Sequence, residues 1–401
     1  MEFAARIAER AALKNPATKR ITILGSTGSI GVSTLKLIRE ASEDFDVECL
    51  TAHNNVSLLA QQAIEFSAKR AVIGNASLYD TLKQALSGTG IQAEAGEEAL
   101  IDAAGTPVDW VMSAIVGAAG LAPTLAAVKT GATIALANKE SLVCGGDLVL
   151  DNVKKCGATL LPVDSEHNAI FQVFDTHQTE MVERLILTAS GGPFLNLTRA
   201  DMRDVSREQA LAHPNWDMGA KISIDSATMM NKGLELIEAY HLFPVEKDQI
   251  DILVHPQSVV HSLVEYRDGS TLAQLGSPDM RTPISYALGW PNRHAFKAQK
   301  LELGKIGTLT FMDPDFERFP ALRLAKSALK TGKSAPAVLN AANEIAVDAF
   351  LKGRIGFLEI SETVEEVLNK IDFVTFNEIA DIFEENRRVR AYTQTALEQR
   401  S

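Results

Sequence analysis

The sequence predicts an α/β protein with an N-terminal Rossmann-like, doubly wound parallel sheet, a central α+β domain and a C-terminal helical bundle. Short apolar segments alternate with helical segments as far as residue 163, which is typical of a parallel sheet covered on both faces. A glycine-rich segment, residues 25–31, joins the first strand-like segment to a helical one. Beyond residue 312, apolar residues recur at the spacing of amphipathic helices.

The elements of the N-terminal domain, residues 21–163, follow from local patterns. Apolar runs that end at glycine or polar residues predict buried strands, and apolar residues spaced by three and four predict helices. The predicted strands are residues 21–24, 47–52, 71–73, 110–115 and 133–137, and the predicted helices include residues 30–40 and 56–66.

The central domain, residues 164–290, mixes strands and helices. The patterns predict a strand at residues 185–189, a helix at 227–242 that ends before Pro244, and a hairpin formed by 258–266 and 270–275. A linker, residues 291–311, then leads to the helical C-terminal domain, residues 312–401. Its predicted helices are residues 320–329, 336–351, 357–371 and 377–399, and we expect them to stabilise the protein or support a dimer without taking part in chemistry.

The overall composition fits a globular protein. The 401 residues allow two or three domains, and 46% hydrophobic and 22% charged residues are ordinary values. A net charge of −12 argues against a nucleic-acid surface, and the longest apolar stretches are too short for a membrane span. The three cysteines fit no CxxC spacing, so we expect a cytoplasmic protein. Residues 1–20 lack an apolar signal region and are expected to form a short helical extension.

Gly25, Gly28 and Gly31 suit a dinucleotide-binding turn, although their spacing departs from GxGxxG. Glycine permits a tight turn and a close approach of the backbone, and the N-terminus of the following helix favours phosphate. The alternative is an ordinary glycine-rich loop between a strand and a helix.

The end of the second predicted strand bears on the choice of cofactor. It reads His53-Asn54-Asn55, without the acidic residue that usually binds the ribose hydroxyl of NAD. Since no carboxylate would repel a 2′-phosphate and these side chains can donate hydrogen bonds to it, the sequence favours NADPH.

Three carboxylates suggest a site for a hard divalent cation. Asp164 and Glu166 follow the apolar residues 158–163, and an extended backbone would point both side chains the same way. Mg²⁺ and Mn²⁺ prefer oxygen ligands and leave coordination positions open for a substrate. The alternative is a solvated acidic turn in which Ser165 caps the next helix.

The third carboxylate is Glu235, on the predicted helix 227–242. Asn231 is four residues earlier and shares its helix face, and Lys232 is adjacent. An amide, an ammonium and a carboxylate together suit a phosphorylated polyol bound beside a metal. Glu238, one turn further on, is a rival metal ligand, although we expect it on a solvated face.

Three further segments place polar groups on loops. Lys139 follows a buried strand, so it could reach the same site from a strand end. Ser190 and the two glycines after it could form a phosphate-binding nest. Residues 213–219 are polar, aromatic and bounded by proline and glycine, as in a closing lid, with a core anchor as the alternative role of Trp216.

Six segments resemble 1-deoxy-D-xylulose 5-phosphate reductoisomerases, in the order found in that family. They are GSTGSIG (residues 25–31), ANKES (137–141), PVDSEHN (162–168), SGGPF (190–194), HPNW (213–216) and SATMMNKG (226–233). The resemblance runs from residue 21 to the C-terminal helices, and several of the segments are long and non-periodic.

The resemblance implies conversion of 1-deoxy-D-xylulose 5-phosphate to 2-C-methyl-D-erythritol 4-phosphate in the non-mevalonate route to isoprenoids. It implies NADPH, one divalent cation (Mg²⁺, Mn²⁺ or Co²⁺) and a homodimer. Two alternatives are a metal-dependent sugar-phosphate dehydrogenase that leaves the carbon skeleton intact and a non-catalytic NADPH-sensing protein.

The resemblance also implies roles for individual residues. The expected metal ligands are Asp164, Glu166 and Glu235. The expected NADPH contacts are Thr27, Gly28, Ser29, Ile30, Asn55, Asn138, Glu140 and Gly219, to which the strand end adds His53 and Asn54, where many relatives have a small residue and then a basic one. The expected substrate contacts are Ser165, Ser190, Trp216, Ser226, Asn231 and Lys232, together with Glu166 and Glu235. Lys139 and His213 are expected to contact the substrate and to act in catalysis beside the three carboxylates.

Overall fold

The computed structural model describes residues 18–216 and 218–399. The predicted N-terminal helix therefore falls largely outside the described residues, as does Asp217 of the predicted lid. The chain forms two compact units built from separate stretches: unit 1 contains residues up to 138, 149–168 and 279–299, and unit 2 contains 139–148, 169–278 and those from 300 onward. This division differs from the three predicted domains, because the C-terminal helices share a unit with the central sheet.

Unit 1 contains a parallel sheet with the strand order β4-β3-β2-β1-β5-β6-β7. The doubly wound parallel sheet predicted from the alternating pattern is therefore confirmed. Chain order reverses between β1 and β5, and sheets of this kind bind ligands beside the carboxyl ends of the strands at such a reversal. The strands are β1 Lys19–Leu24, β2 Phe45–Ala52, β3 Arg70–Ile73, β4 Gln92–Ala95, β5 Trp110–Ser113, β6 Thr133–Leu136 and β7 Thr159–Pro162.

Helices cover this sheet because its strands are apolar on both faces; Ile21, Ile23 and Leu24 of β1 are completely buried. One helix returns to unit 1 from much later in the chain, and two backbone carbonyls hold it: Trp110 Nε1 donates to Ala287 O over 3.1 Å, and Lys19 Nζ donates to Leu288 O over 2.9 Å. The helices of unit 1 are Ser29–Glu40, Val56–Glu65, Tyr79–Ala85, Glu97–Ala104, Leu121–Lys129 and Arg281–Gly289.

Unit 2 contains a four-stranded sheet with the order β11-β10-β8-β9. The strands are β8 Val182–Ala189, β9 Ile250–Val254, β10 Val260–Tyr266 and β11 Thr271–Leu275. β10 and β11 pair in antiparallel fashion, which confirms the predicted hairpin, and β8 is antiparallel to β10 but parallel to β9.

The helix predicted over residues 227–242 is confirmed as Met230–Leu242, and a separate helix that was not predicted, Ala220–Ala227, precedes it. Between them Met229 adopts a left-handed conformation with φ of 64°, which ends the first helix and reorients the second. The apolar pattern continues across the break because Ala227, Met229 and Met230 are all buried, so the pattern alone could not reveal it.

The C-terminal region is helical, as predicted, but apart from a small cluster of Ile345, Ala349 and Leu397 its buried residues join the core of the central sheet. Its helices share one buried apolar cluster with β8, β9 and the helix Met230–Leu242. The helix that carries Gly233 packs closely against the helix that carries Ala325, because a Cβ added to Gly233 would lie 2.6 Å from the Ala325 Cβ. The other helices that lie wholly in unit 2 are Arg207–Leu211, Leu303–Ile306, Pro320–Thr331, Ala335–Leu351, Phe357–Lys370 and Ile379–Glu398, and the helices Glu140–Cys156 and Ser165–Val173 contribute residues to both units.

Candidate active site

The glycine-rich turn after β1 has the geometry of a phosphate-binding turn. Gly25 has φ of 86°, and a Cβ there would lie 2.8 Å from Ala114 O. A Cβ on Gly31 would lie 2.4 Å from Gly25 O, so the helix packs against the turn only with glycine at this position. The helix begins at Ser29, and Gly28 and Ser29 are exposed, so its N-terminal amides face solvent where an anion can bind.

Side chains that the sequence patterns did not single out fix this turn. Thr51 Oγ1, at the end of β2, accepts from Gly25 N over 2.9 Å. Gln62 forms a pair of hydrogen bonds with Ser26, one with the Ser26 hydroxyl at 2.8 Å and one with the Ser26 carbonyl at 3.0 Å. The turn is therefore held in place before any ligand binds.

The end of β2 exposes His53, Asn54 and Asn55, as predicted. The Asn55 side chain accepts from Leu58 N over 3.1 Å and so caps the next helix. Asn54 Oδ1 accepts from Asn75 Nδ2 over 3.0 Å. Both side-chain oxygens thus act as acceptors, and the side-chain amide groups of Asn54 and Asn55 are donors of the kind that suits a phosphate.

Asn138, a predicted cofactor contact, is buried at 1% exposure after β6. Its side-chain amide donates to Ile115 O and, over 2.9 Å, to Gly117 O. It therefore fixes the loop after β5, at the same edge of the sheet as the glycine-rich turn.

The acidic segment after β7 corrects one prediction. The backbone is not extended there: the helix Ser165–Val173 begins at Ser165, so Glu166 lies in its first turn. The Ser165 hydroxyl donates to Glu166 Oε2 over 2.5 Å, and Asn168 N donates to Asp164 O over 2.8 Å. Asp164 and Glu166 are both half-buried at the carboxyl end of a strand, which is the position that the sequence predicted for them.

In unit 2, the helix Met230–Leu242 carries a buried, charged cluster around Glu235, whose exposure is 1%. Asn231 Nδ2 donates to Glu235 Oε1 over 2.5 Å, as their spacing of four predicts. Lys139 Nζ donates to Asn231 Oδ1 over 2.7 Å and to Glu235 Oε1 over 3.1 Å. Lys232 forms an ion pair with Glu235 Oε2. Two ammonium groups thus contact one buried carboxylate.

Glu238 does not lie on a solvated face, contrary to the prediction. It is 1% exposed, one turn after Glu235 on the same helix. The helix is buried on nearly all sides by β9 and the C-terminal helices. Glu238 lies three residues after the buried Glu235, on the same side of the helix, and is therefore also buried.

Ser190 and His213 form the next pair in unit 2. Gly192 N donates to Ser190 Oγ over 3.1 Å, and His213 Nε2 lies 2.9 Å from the same oxygen. His213 Nδ1 accepts from Asn215 N over 3.2 Å and from Trp216 N over 3.0 Å, so Nε2 carries the hydrogen and donates to Ser190. This pattern needs a neutral ring, and burial lowers the pKa of His213 below its ordinary value of 6.5.

Asn215 also holds the described part of the predicted lid, residues 213–219 without Asp217. Asn215 Nδ2 donates to Pro256 O over 2.7 Å and to Ser258 Oγ over 3.1 Å. Trp216 is half-buried, with its ring centroid 6.3 Å from that of His261. It is not the fully buried core anchor of the alternative interpretation. Gly219 is exposed, and Ser226 is half-buried on the helix that follows.

A second charged cluster in unit 2 was missed from the sequence. Lys221 Nζ lies 2.9 Å from Glu140 Oε1 and 2.7 Å from Asp225 Oδ2. The spacing of four between Lys221 and Asp225 is visible in the sequence and could have drawn attention to the pair. Its link to Glu140, 81 residues away, could not.

A doubly wound sheet with a phosphate-binding turn, in a chain that also carries a lysine–carboxylate cluster, defines the class of dinucleotide-dependent α/β enzymes. Family models identify the particular family. The model for 1-deoxy-D-xylulose 5-phosphate reductoisomerase matches residues 21–146, and models for the C-terminal domains of this family match residues 160–243 and 275–392. The chain belongs to the 1-deoxy-D-xylulose 5-phosphate reductoisomerase family.

Curated relatives and solved structures agree with this assignment. The reductoisomerase of Zymomonas mobilis is 55% identical over 380 residues, which are 95% of this chain and 98% of that protein. That of Rhodospirillum centenum is 57% identical over 91% of this chain and 90% of its own length. The solved structure of the Zymomonas mobilis enzyme with NADPH has a TM-score of 0.90 at 53% identity and covers 95% of this chain and all of that one. A reductoisomerase in complex with NADPH, fosmidomycin and magnesium has a TM-score of 0.91 at 44% identity, covering 95% of this chain and 98% of that one.

Proposed function

We propose that this protein converts 1-deoxy-D-xylulose 5-phosphate to 2-C-methyl-D-erythritol 4-phosphate, with NADPH and a divalent cation. The observation that carries the proposal is the buried cluster of Lys139, Asn231, Lys232 and Glu235, which offers charged donors and a carboxylate to a phosphorylated polyol. Family membership and the complexes of relatives with NADPH and magnesium support the cofactors.

The NADPH-binding residues follow from the glycine-rich turn and the strand ends. The exposed helix N-terminus at Gly28 and Ser29 suits the pyrophosphate. The asparagine amides at the end of β2 suit the 2′-phosphate. The complete proposed set is Thr27, Gly28, Ser29, Ile30, His53, Asn54, Asn55, Asn138, Glu140 and Gly219.

Asp164, Glu166 and Glu235 are the proposed ligands of the divalent cation. Their donors are all carboxylate oxygens, which suits Mg²⁺, Mn²⁺ or Co²⁺ better than a soft metal. Glu235 already accepts hydrogen bonds from Lys139 and Lys232, so its burial depends on nearby positive charge, and a cation would supply more of it. When bound, the metal would polarise the substrate carbonyl, and NADPH would supply the hydride that reduces the branched aldehyde formed on rearrangement.

The chain's own residues then bind and orient the substrate. Lys139, which contacts Asn231 and Glu235, is proposed to hold a reacting hydroxyl, and Ser165 is proposed to contact a second one. Ser190 uses its oxygen as an acceptor from Gly192 and His213, so its hydrogen can be donated to a phosphate oxygen. The lid, with His213 and Trp216, would close over the substrate and exclude water. Ser226, Asn231 and Lys232 complete the proposed substrate contacts.

The direct test is to follow NADPH oxidation with 1-deoxy-D-xylulose 5-phosphate and to examine the product by proton NMR. We expect metal-dependent turnover that stops with a chelator and a product with a methyl singlet on a branched carbon. Turnover without the branched methyl would favour the simple dehydrogenase. NADPH binding without turnover would favour the sensing protein and refute the proposal.

Two broader properties belong to the same proposal. We infer a homodimer, supported by β11, an edge strand on which Leu272 is 48% exposed. Light scattering during size-exclusion chromatography would measure the mass, and a monomer at micromolar concentration would contradict the inferred homodimer.

A cytoplasmic location is supported by Cys49, Cys144 and Cys156, which are free thiols. None of the helices formed by the described residues has the length and apolar character needed to cross a bilayer.

Inhibition offers an independent test of the site. A relative's complexes with fosmidomycin and magnesium lead us to propose that this protein also binds fosmidomycin. We expect binding to require the divalent cation, because a hydroxamate offers two oxygens to a metal. Equal affinity with and without the metal would contradict the proposed metal site.

A further inference from the structure

Lys221 has no role in the proposed function so far, but it lies at the centre of a buried polar network. It is two residues after Gly219, on the helix Ala220–Ala227. Its ammonium bridges Glu140 Oε1 at 2.9 Å and Asp225 Oδ2 at 2.7 Å. The side chains of Glu140 and Asp225 are only 7% and 2% exposed, so each of these carboxylates depends on the same cation.

The network continues to the C-terminal helices. Asn343, on the helix Ala335–Leu351, donates from Nδ2 to Asp225 Oδ1 over 2.8 Å. One turn earlier, Asn340 Nδ2 donates to Cys144 Sγ over 3.5 Å and to Glu344 Oε1 over 2.9 Å. The same helix thus contacts both the segment that begins at Glu140 and the segment that contains Lys221.

Electrostatics favour a fixed geometry for this bridge. Burial alone would lower the pKa of Lys221, but the nearby carboxylates of Asp225, Glu140 and Glu344 raise it above the ordinary lysine value. Burial would likewise raise the pKa of Glu140, but the Lys221 charge and hydrogen bond lower it. The charged forms of Lys221 and Glu140 therefore stabilise each other, and the bridge holds one ammonium between two buried carboxyl groups.

We propose that Lys221 is a positioning residue for NADPH. Its ammonium holds Glu140 in the position that binds the cofactor. Its helix starts beside Gly219, so Lys221 also fixes the end of the lid. Asp225 and Asn343 anchor Lys221 to the helix Ala335–Leu351. The inference rests on the proposed function, in which Glu140 and Gly219 contact NADPH. Because NADPH is a polyanion, loss of the ammonium that pairs with both Glu140 and Asp225 would make that region less favourable for the cofactor.

The test compares Lys221→Met with wild type by isothermal titration of NADPH in the absence of substrate. We expect the NADPH Kd to rise at least about tenfold, which corresponds to about 1.4 kcal/mol. In steady-state assays the loss should appear in KM for NADPH more than in KM for the sugar phosphate. Lys247→Met is the matched control, because Lys247 is an exposed lysine of the same unit that donates to Leu329 O, remote from the network.

Two further variants separate positioning from a general structural role. Lys221→Arg retains the charge and should restore NADPH affinity to within about threefold of wild type. Glu140→Gln removes the carboxylate that Lys221 neutralises, so Lys221→Met should weaken NADPH binding much less in that background. Additive effects in this double-mutant cycle would overturn the proposal.

A variant that does not fold would leave Lys221→Met uninformative, so Asn343→Leu provides a second route. This variant preserves the Lys221–Glu140 bridge but removes the hydrogen bond from the helix Ala335–Leu351 to Asp225. The NADPH Kd should rise by about threefold. An unchanged Kd in folded Lys221→Met and Asn343→Leu would overturn the inference while leaving the proposed function intact. Failure of wild type to bind NADPH at all would overturn both.

Discussion

The proposed role of Glu235 can be tested by changing one buried carboxylate. Glu235→Gln preserves the shape of the side chain but removes the charge that Lys139 and Lys232 approach. We expect kcat/KM at saturating Mg²⁺ to fall at least about a thousandfold, while circular dichroism shows a folded protein. Glu183→Gln is a suitable control because that side chain is 55% exposed. Near-normal turnover of the Glu235 variant would show that Glu235 does not belong to the metal and substrate site.

Asn54 provides a test of cofactor choice at a single residue. Wild type should prefer NADPH over NADH, since no carboxylate follows β2. In Asn54→Asp, the side chain can still accept from Asn75, but its negative charge would face the 2′-phosphate. The ratio of kcat/KM for NADPH to that for NADH should therefore fall about tenfold or more. An unchanged ratio would show that the end of β2 does not read the 2′-phosphate.

His213 makes the arrangement of Ser190 and the lid dependent on pH. Its folded pKa lies below 6.5, so the neutral ring contributes stability that is fully present above 6.5 and is lost as the pH falls through the folded pKa. Protonation would place a hydrogen on Nδ1, where two backbone amides now donate. An NMR titration of the ring Cε1 proton should give a pKa below 6.5, with His213→Asn identifying the signal. A value at or above 6.5 would contradict this tautomer.

At the scale of elements, the loop at residues 213–219 should contribute binding free energy by closing. Trp216 is half-buried, so closure over fosmidomycin could bury more of its ring. Trp216→Ala should weaken binding of fosmidomycin by about 1–3 kcal/mol, the range for losing an aromatic anchor. Isothermal titration with Mn²⁺ present measures this. An unchanged Kd would mean that Trp216 packs in the loop without contacting the ligand.

The elements also show where sequence patterns are informative and where they are not. The position of the glycine-rich turn between a strand and a helix was predicted correctly because local steric constraints require its glycines. Gly25 has a positive φ, and Gly31 packs too closely against the turn for a side chain. The break at Met229 was missed because buried residues continue on both sides of it. At residues 164–166 the sequence left two interpretations open, an extended backbone and a turn that caps the next helix, because a short acidic segment has no period to distinguish them.

At the scale of the whole molecule, the predictions failed where contacts join distant parts of the chain. The parallel sheet was predicted from the alternation of strand and helix patterns that such a sheet requires, and the sheet was confirmed. The bridge from Glu140 to Lys221 and on to Asn343 spans more than half the chain, and no local pattern encodes it. For the same reason, the C-terminal helices seemed a separate bundle, although they complete the core beneath Glu235.

That shared core leads to a prediction about stability. Gly233, on the helix that carries Glu235, faces Ala325, and an added Cβ would lie 2.6 Å from the Ala325 Cβ and 3.4 Å from Ala321 O. Gly233→Ala must therefore push the two helices apart, and the free energy of unfolding should fall by about 1–3 kcal/mol despite the better helix propensity of alanine. Urea denaturation followed by circular dichroism measures the change. Gly304→Ala is the matched control, because no atom lies within 4 Å of its added Cβ. If Gly233→Ala were as stable as that control, the helices would not be closely packed, and the C-terminal region would be the separate appendage that the sequence suggested.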